Sequence, residues 1–367
     1  MKCPRIEVNL TKIKQNACYL KKMCQKNGIE LMAVTKGFCA KHQIAKTLEE
    51  AGITRFGDSR VENIRKLREA NIRGEMTLIR LPMLSEAVEV VKWADVSFNT
   101  EIEVIEALSR EAVSQNKLHK IVLVIEVGDL REGIMPEKLV ETIKYIRKLK
   151  GIEIYGVALN VGCFGGVLPS ITNTQTLVEA AIKVEEMLGK DLKVISGGST
   201  CSLKLLEEGK MPERINQLRI GEAILLGTDV TGQRKIPGLN RNTMRLVAEV
   251  VELKEKPSVP WGEIGRDAFG KLPKFEDKGI RKRAILAIGR QDVVIESLIP
   301  EIEGVKVLGG SSDHMILDVT DAQDDVYVGK QMGFKMSYGA MLALMTSEYV
   351  EKVYIDEDEG KTFKNIE

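Results

Sequence analysis

Leu31-Met32-Ala33-Val34-Thr35-Lys36-Gly37 decides between the two architectures this chain could adopt. The run is apolar and β-branched enough for a buried strand, and it ends in a lysine. A doubly wound nucleotide-binding sheet would follow its first strand with a glycine-rich phosphate loop, and that loop is missing here. Outward from this stretch, short strand-like runs recur at 54–57, 76–81, 95–98, 121–127, 153–159, 192–196 and 216–220. Amphipathic segments such as 41–51, 60–72, 101–117, 136–149 and 174–189 lie between them. In the last, Leu177, Ala180, Ala181, Val184 and Leu188 keep helical spacing. Eight strands alternating with helices predict an α/β fold, a (β/α)8 TIM barrel, with the doubly wound sheet as competitor.

The helical rhythm stops near residue 230. Short runs at 244–254, 283–289, 304–309, 314–319, 325–328 and 331–336 follow, punctuated by Gly and Asp. The expected domains are a barrel over 1–232 and a mostly β C-terminal domain over 233–367. Arg5 to Leu10 reads as a strand that could pair with either. The acidic run Asp356 to Glu359 reads as a solvated tail.

Lys plus Arg number 54 against 53 for Asp plus Glu. That balance gives no footprint for nucleic acid or a membrane surface. Six scattered cysteines with no C-x-x-C pair suggest reduced thiols rather than a disulfide frame. With no signal core in the first residues and no long apolar run, the expected location is cytoplasmic.

Barrel enzymes work at the C-terminal ends of their strands. Those positions are Lys36, Asp58 and Ser59, Arg80, Asn99, the loop Gly128 to Gly133, Asn160, the loop Ser196 to Thr200, and Arg219 with Gly221. A lysine at a strand end is partly desolvated, which lowers its pKa and makes the amine a nucleophile and base, although it could also snorkel to water. Ser196-Gly197-Gly198-Ser199-Thr200 offers converging N–H groups and hydroxyls before an apolar helix, either an anion cradle or a plain helix cap. The next loop, Arg219-Ile220-Gly221-Glu222, lies where barrels complete a phosphate site. A lysine opposite a phosphate cradle suggests a phosphorylated carbonyl cofactor, pyridoxal 5'-phosphate (PLP).

At these residues the chain resembles the fold-type III PLP enzymes, the alanine racemase family, and within it most closely the ornithine racemase group. The resemblance runs over nearly the whole chain. Its motifs are Phe56-Gly57-Asp58-Ser59-Arg60, Gly128-Asp129-Leu130-Arg131-Glu132-Gly133, Ser196-Gly197-Gly198-Ser199, Leu218-Arg219-Ile220-Gly221-Glu222 and Glu255-Lys256-Pro257-Ser258. Gly279-Ile280-Arg281-Lys282-Arg283-Ala284 and Ser311-Ser312-Asp313-His314 complete the set.

The resemblance implies that Lys36 binds PLP covalently and that Arg131 lies near the cofactor hydroxyl and the substrate carboxylate. Asn160 takes the place of a ring-contacting residue. Ser199, Thr200, Gly221 and the backbone of Glu222 fall on the phosphate cup, which Tyr338 also reaches. Arg219 falls where a residue faces the pyridine nitrogen. An arginine donates there without giving up its proton, which favours racemisation over decarboxylation. Glu222, three residues on, is the acid that would support the opposite reading.

The family's second catalytic base is a tyrosine, and the matching stretch here appears as Val259-Pro260-Trp261-Gly262-Glu263. Indole is no base. His314 is the expected replacement, with Asp267 a lesser candidate and Asp313 beside it as a substrate contact. Relatives with a similar His motif hold a metal through a residue two places on, which is Ile316 here, so no metal is expected. The side-chain amine of a basic substrate has Asp129, Glu132, Asp267 and Glu263 as unranked partners. The implied function is PLP-dependent racemisation of a free amino acid, ornithine or another basic one, by a head-to-tail homodimer. A lyase or decarboxylase of the same fold and a non-catalytic PLP carrier are the alternatives.

Overall fold

The structure is a computed structural model that describes residues 2–364. It divides into two units, Lys12–Arg241 and the combination of Met1–Thr11 with Asn242–Glu367. Strand β1 (Arg5–Asn9) belongs to the second of these.

The first unit is a closed parallel barrel. Its strands are β2 (Glu30–Val34), β3 (Arg55–Asp58), β4 (Glu75–Leu78), β5 (Val96–Asn99), β6 (His119–Ile125), β7 (Ile152–Leu159), β8 (Val194–Ser196) and β9 (Gln217–Ile220). Parallel pairing of β2 with β9, from Glu30↔Gln217 to Ala33↔Ile220, closes the ring. That closure excludes the doubly wound sheet. The helices are α1 (Leu10–Gln25), α2 (His42–Glu50), α3 (Val61–Glu69), α4 (Ala87–Trp93), α5 (Ile102–Ser114), α6 (Leu139–Ile146), α7 (Ile171–Leu188), α8 (Leu203–Glu207) and α9 (Glu222–Leu226). Alternation along the strands sends neighbouring side chains into different clusters. Val96, Phe98, Val122, Val124, Ala158 and Val194 form one cluster. Ile121, Leu123, Ile125, Val157 and Leu159 pack with α6 and α7 in the other.

Helix α7 starts three residues before the sequence expectation of 174. The reason is a reciprocal cap: Asn173 N–H donates to Ser170 Oγ at 3.2 Å, and Ser170 N–H donates to Asn173 Oδ1 at 2.9 Å. The helix stops at Gly189, which takes a left-handed φ of 66°.

His119, at the base of β6, carries a pH consequence. Asn99 Nδ2 donates to Ser97 Oγ at 2.9 Å, so the Ser97 hydroxyl is turned to donate to His119 Nε2 at 2.8 Å. The imidazole is buried and neutral, and burial lowers its pKa to about 4. In the unfolded chain the same ring takes up a proton below its ordinary ~6.5. The unfolded state therefore binds more protons between those values, and folding stability falls as pH drops from about 6.5 to 4. The loss expected from this group is up to ~3 kcal/mol. His119→Gln should flatten that part of the pH–stability curve in urea melts; an unchanged slope would refute the burial argument.

The second unit is a sheet ordered β15-β16-β13-β12-β1-β18-β19, with β17 beside β12 and β14 beside β17. The strands are β12 (Met244–Pro257), β13 (Ile280–Leu286), β14 (Leu298–Pro300), β15 (Lys306–Gly310), β16 (Met315–Asp318), β17 (Gln331–Met336), β18 (Glu351–Asp356) and β19 (Lys361–Lys364). Helix α10 (Tyr338–Thr346) precedes β18. All five residues of β1 are buried, because the strand lies between β12 (antiparallel) and β18 (parallel). The sequence run 325–328 is not a strand. There Lys330 Nζ binds Asp324 Oδ2 at 2.6 Å and Gly329 takes a φ of 92°, which makes a turn into β17. The acidic run is likewise no tail: Asp356 Oδ1 accepts N–H bonds from Asp358 and Glu359 at 3.1 and 3.2 Å, turning β18 into β19.

Residues 233–241 stay with the barrel unit, nine residues past the boundary expected from sequence. A small hairpin, β10 (Thr228–Asp229) with β11 (Arg234–Lys235), holds them. Arg234 binds Asp229 at 3.2 Å and Glu207 at 2.6 Å, while Asn16 and Asn240 exchange bonds of 2.9 and 2.7 Å. No helix among the described residues is long and apolar enough to cross a membrane.

Candidate active site

The barrel's C-terminal strand ends gather most of the residues expected there. Lys36 opens a short 3-10 turn, Lys36–Phe38, directly after β2. The turn is closed by Cys39 and Ala40, both at left-handed φ, and by Cys39 N–H on Lys36 O at 3.1 Å. Burial pushes the Lys36 amine below its ordinary value, and the nearby Arg131 and Arg219 push the same way. Cys163 and Asp58 act against them. Beneath it Asp58 is buried, taking the Thr35 hydroxyl at 2.5 Å, Arg60 N–H at 2.9 Å and Asn63 Nδ2 at 3.1 Å. These bonds fix the backbone that carries Lys36. Arg80 is used locally, in a two-pronged pair with Glu86 at 2.7 and 2.8 Å.

The loops after β8 and β9 are tied together. Ala223 N–H, at the start of α9, donates to Thr200 Oγ1 at 3.3 Å, and Arg219 N–H donates to Gly198 O at 3.0 Å. Gly198 sits at φ 111°, and a Cβ there would come within 2.3 Å of Ser202 Oγ. Ser199 Oγ lies 3.3 Å from Cys201 Sγ. Glu222 turns its carboxylate to the β10 hairpin, accepting from Thr228 Oγ1 at 2.6 Å and Val230 N–H at 2.9 Å; burial raises its pKa to about 7. It is therefore spoken for locally.

Arg219 is the buried cation of the barrel. Its Nη1 donates to Ser196 Oγ at 2.7 Å, its Nη2 to Leu159 O at 2.8 Å, and the guanidinium lies over the Phe98 ring, 5.2 Å from its centroid. Burial lowers its pKa to about 10, still charged near neutrality. Sequence position singled out Arg219. Phe98 and Leu159 O went unnoticed as its partners, although the strand alternation that turns Phe98 inward was legible.

The loop after β6 folds over Glu126, whose Oε1 accepts N–H bonds from Gly128 and Leu130 at 2.6 and 3.2 Å. Gly133 must be glycine, since a Cβ would lie 2.4 Å from Glu126 N. Arg131 is exposed and paired with Glu132, an interaction that raises its pKa. Asp129 is buried, accepting from Val167 N–H at 3.1 Å and Cys163 N–H at 3.4 Å. Asn160, after β7, accepts the Cys163 thiol at 3.7 Å, and its Nδ2 is buried without a partner. The donor set of the barrel unit fits a phosphorylated aldehyde: an amine with depressed basicity, hydroxyls on a glycine turn, and a fixed guanidinium.

The other expected residues belong to the β unit. His314 is exposed on the turn into β16, where its carbonyl accepts Ser311 N–H at 2.8 Å. Asp313 is exposed and takes the Ser312 hydroxyl at 2.7 Å. Tyr338 begins α10. Trp261 is 85% exposed in the loop between β12 and β13, and Asp267 in the same loop accepts N–H bonds from Phe269 and Lys271. Among the described residues no group of three or more His, Cys, Asp or Glu is arranged to hold a metal ion.

A closed parallel barrel that ends its first strand in a desolvated lysine, and binds two later loops around a buried arginine, presents an amine and a fixed cation at the same strand ends. The family model "Alanine racemase, N-terminal domain" matches residues 8–229, and the chain belongs to the alanine racemase family. It is an isomerase of that family. It is 44% identical to ornithine racemase of Acetoanaerobium sticklandii, covering 95% of this chain and 99% of that one. It is 45% identical to lysine racemase of Thermotoga maritima, covering 96% and 98%. Among solved structures, alanine racemase of Clostridium difficile 630 superposes with a TM-score of 0.75 at 18% identity, over 100% of this chain and 99% of that one. At that identity the match speaks for the fold alone.

Proposed function

We propose that the chain is a PLP-dependent racemase of a free basic amino acid, ornithine or lysine in type, acting in the cytoplasm as a head-to-tail homodimer. What carries the substrate class is end-to-end similarity above 40% to racemases of both these amino acids. What supports the cofactor is Lys36, an amine whose basicity is lowered by burial at a barrel strand end.

In this reading Lys36 binds the cofactor covalently. Ser199, Thr200, Gly221, the Glu222 backbone and Tyr338 hold its phosphate, and Asn160 and Arg219 contact its ring. When bound, PLP supplies an electron sink that acidifies the substrate's α-hydrogen. Arg131 binds the substrate carboxylate, with Asp313 as a further substrate contact. Lys36 removes or returns the α-proton on one face, and His314 of the partner subunit serves the other. Arg219 can donate to a ring nitrogen but cannot protonate it, which favours return of the proton to carbon.

Incubating single enantiomers of ornithine and lysine should give loss of optical rotation with no new product. A keto acid, an aldehyde or an amine would mean a lyase or decarboxylase instead, and no change would mean a carrier. His314→Ala is expected to slow racemisation by about 10²–10⁴-fold while sparing α-hydrogen exchange on the Lys36 face. Unchanged exchange from both enantiomers in deuterium oxide would remove His314 from the mechanism.

A further inference from the structure

Two cysteines of the barrel unit stand apart from the chemistry assigned above. Cys163 is exposed, while Cys201 is buried and the other four are partly or fully buried. Cys201 is wedged between two loops. Its Sγ lies 3.3 Å from Ser199 Oγ on one side and 3.7 Å from Val161 O on the other. A Cβ on Gly162 would stand 2.9 Å from that sulfur, and Cys163 is the next residue. Three glycines lie beside Cys163 at 162, 165 and 166, two of them at positive φ, and the bonds that closure must break at Cys163 are long, N–H to Asp129 Oδ1 at 3.4 Å and Sγ to Asn160 Oδ1 at 3.7 Å.

We propose that Cys163 and Cys201 form a reversible thiol pair, oxidised by a hydroperoxide, that closes the loop after β7 onto the loop after β8. The Cys163 thiolate attacks one peroxide oxygen; the O–O bond breaks and hydroxide leaves, giving a sulfenic acid. The Cys201 sulfur then attacks the Cys163 sulfur. The S–O bond breaks, and water leaves carrying the Cys201 proton. Two electrons pass to one peroxide, and the two thiols lose two hydrogens.

The surroundings divide the roles. Cys163 is exposed and open to a peroxide from solvent, whereas Cys201 is buried. Burial pushes the Cys201 thiol up to about 11, so it stays protonated and waits for an electrophile already made. Closure would draw Cys201 away from Ser199 and pull on Thr200 beside it. On the reading of those residues as the phosphate cup, oxidation therefore lowers cofactor loading.

The cofactor-free chain is treated with one equivalent of hydrogen peroxide and digested unreduced with trypsin. The expected product is a peptide pair joined through Cys163 and Cys201, two hydrogens lighter than its parts and separated by dithiothreitol. Cys201→Ser should instead accumulate a dimedone-reactive Cys163, and Cys163→Ser should leave Cys201 unmodified. A bridge from Cys163 to Cys39, or equal over-oxidation of Cys163 with and without Cys201, would overturn the pair. In a second arm, oxidised wild-type chain should lose most of its uptake of added PLP and regain it on reduction. A bridged chain that loads normally defeats the control of the cup. A reduced chain that never takes up PLP defeats the cofactor reading and leaves the mass result standing.

Discussion

Lys36→Ala is expected to lower racemisation of both enantiomers of a basic amino acid by more than about 10³-fold, and to abolish borohydride-trapped PLP on the chain. One side chain is asked to do two things there. On the proposed function it is both the amine that holds the cofactor and the base on one face of the substrate, and a positioned proton-transfer group alone contributes about 10²–10⁴-fold. Added methylamine should restore part of the rate, because it replaces the lost amine without its positioning. The fold should not suffer. Burial disfavours the Lys36 ammonium, so its folded pKa lies below the unfolded one. Between the two pKa values the unfolded state binds more protons, and below the folded one the folded state carries the full penalty of a buried ammonium, which alanine removes. Thermal melts near neutrality should therefore find Lys36→Ala at least as stable as the parent. Full activity in that variant would end the account of this site; a melt several degrees lower would show that Lys36 is held by contacts rather than strained by burial.

How much of this was legible beforehand depends on the range of the interaction. The barrel could be read because each strand is an apolar run of local character, and because Thr35-Lys36-Gly37 lacks the turn a doubly wound sheet needs. Element ends were less legible, since they depend on single side chains. Ser170 and Asn173 move the start of α7, and Lys330 with Asp324 turns 325–328 away from the sheet. The hairpin of β18 and β19 was hidden because its turn, Asp356 to Glu359, is acidic and reads as solvated. Its order comes from one carboxylate accepting two backbone bonds. Within the barrel, position in the chain singled out Lys36, Asn160, Arg219 and the loop that carries Arg131. It could not find what each touches, because Thr35 to Asp58 and Phe98 to Arg219 are contacts across strands far apart in sequence. Cys163 is the instructive omission: the scattered cysteines read as reduced thiols with no disulfide frame, and only the folded chain brings this one near Lys36, Arg131 and Arg219.

The second large effect concerns which product leaves the enzyme. Arg219→Glu is expected to cut racemisation by about 10²–10³-fold, the cost typical of losing one preorganised donor, and to raise the keto acid formed per racemisation event. The arginine is held by Ser196 Oγ, Leu159 O and the Phe98 face, so its guanidinium cannot swing away from the barrel interior. On the proposed function, a carboxyl in its place would offer the cofactor a proton that a guanidinium withholds, opening routes for the substrate proton other than back to carbon. Glu222 does not supply that acid, since Thr228 and Val230 already engage it. The substitution also orphans two buried acceptors, each costing about 1–3 kcal/mol, so it should be assayed on folded protein alongside Arg219→Lys. Lysine keeps one donor and the positive charge. It should lose rate with no change in the ratio of keto acid to racemised product, whereas glutamate changes the ratio itself. Equal ratios in the two variants would mean that the charge at residue 219 governs packing alone and that some other group decides where the proton returns.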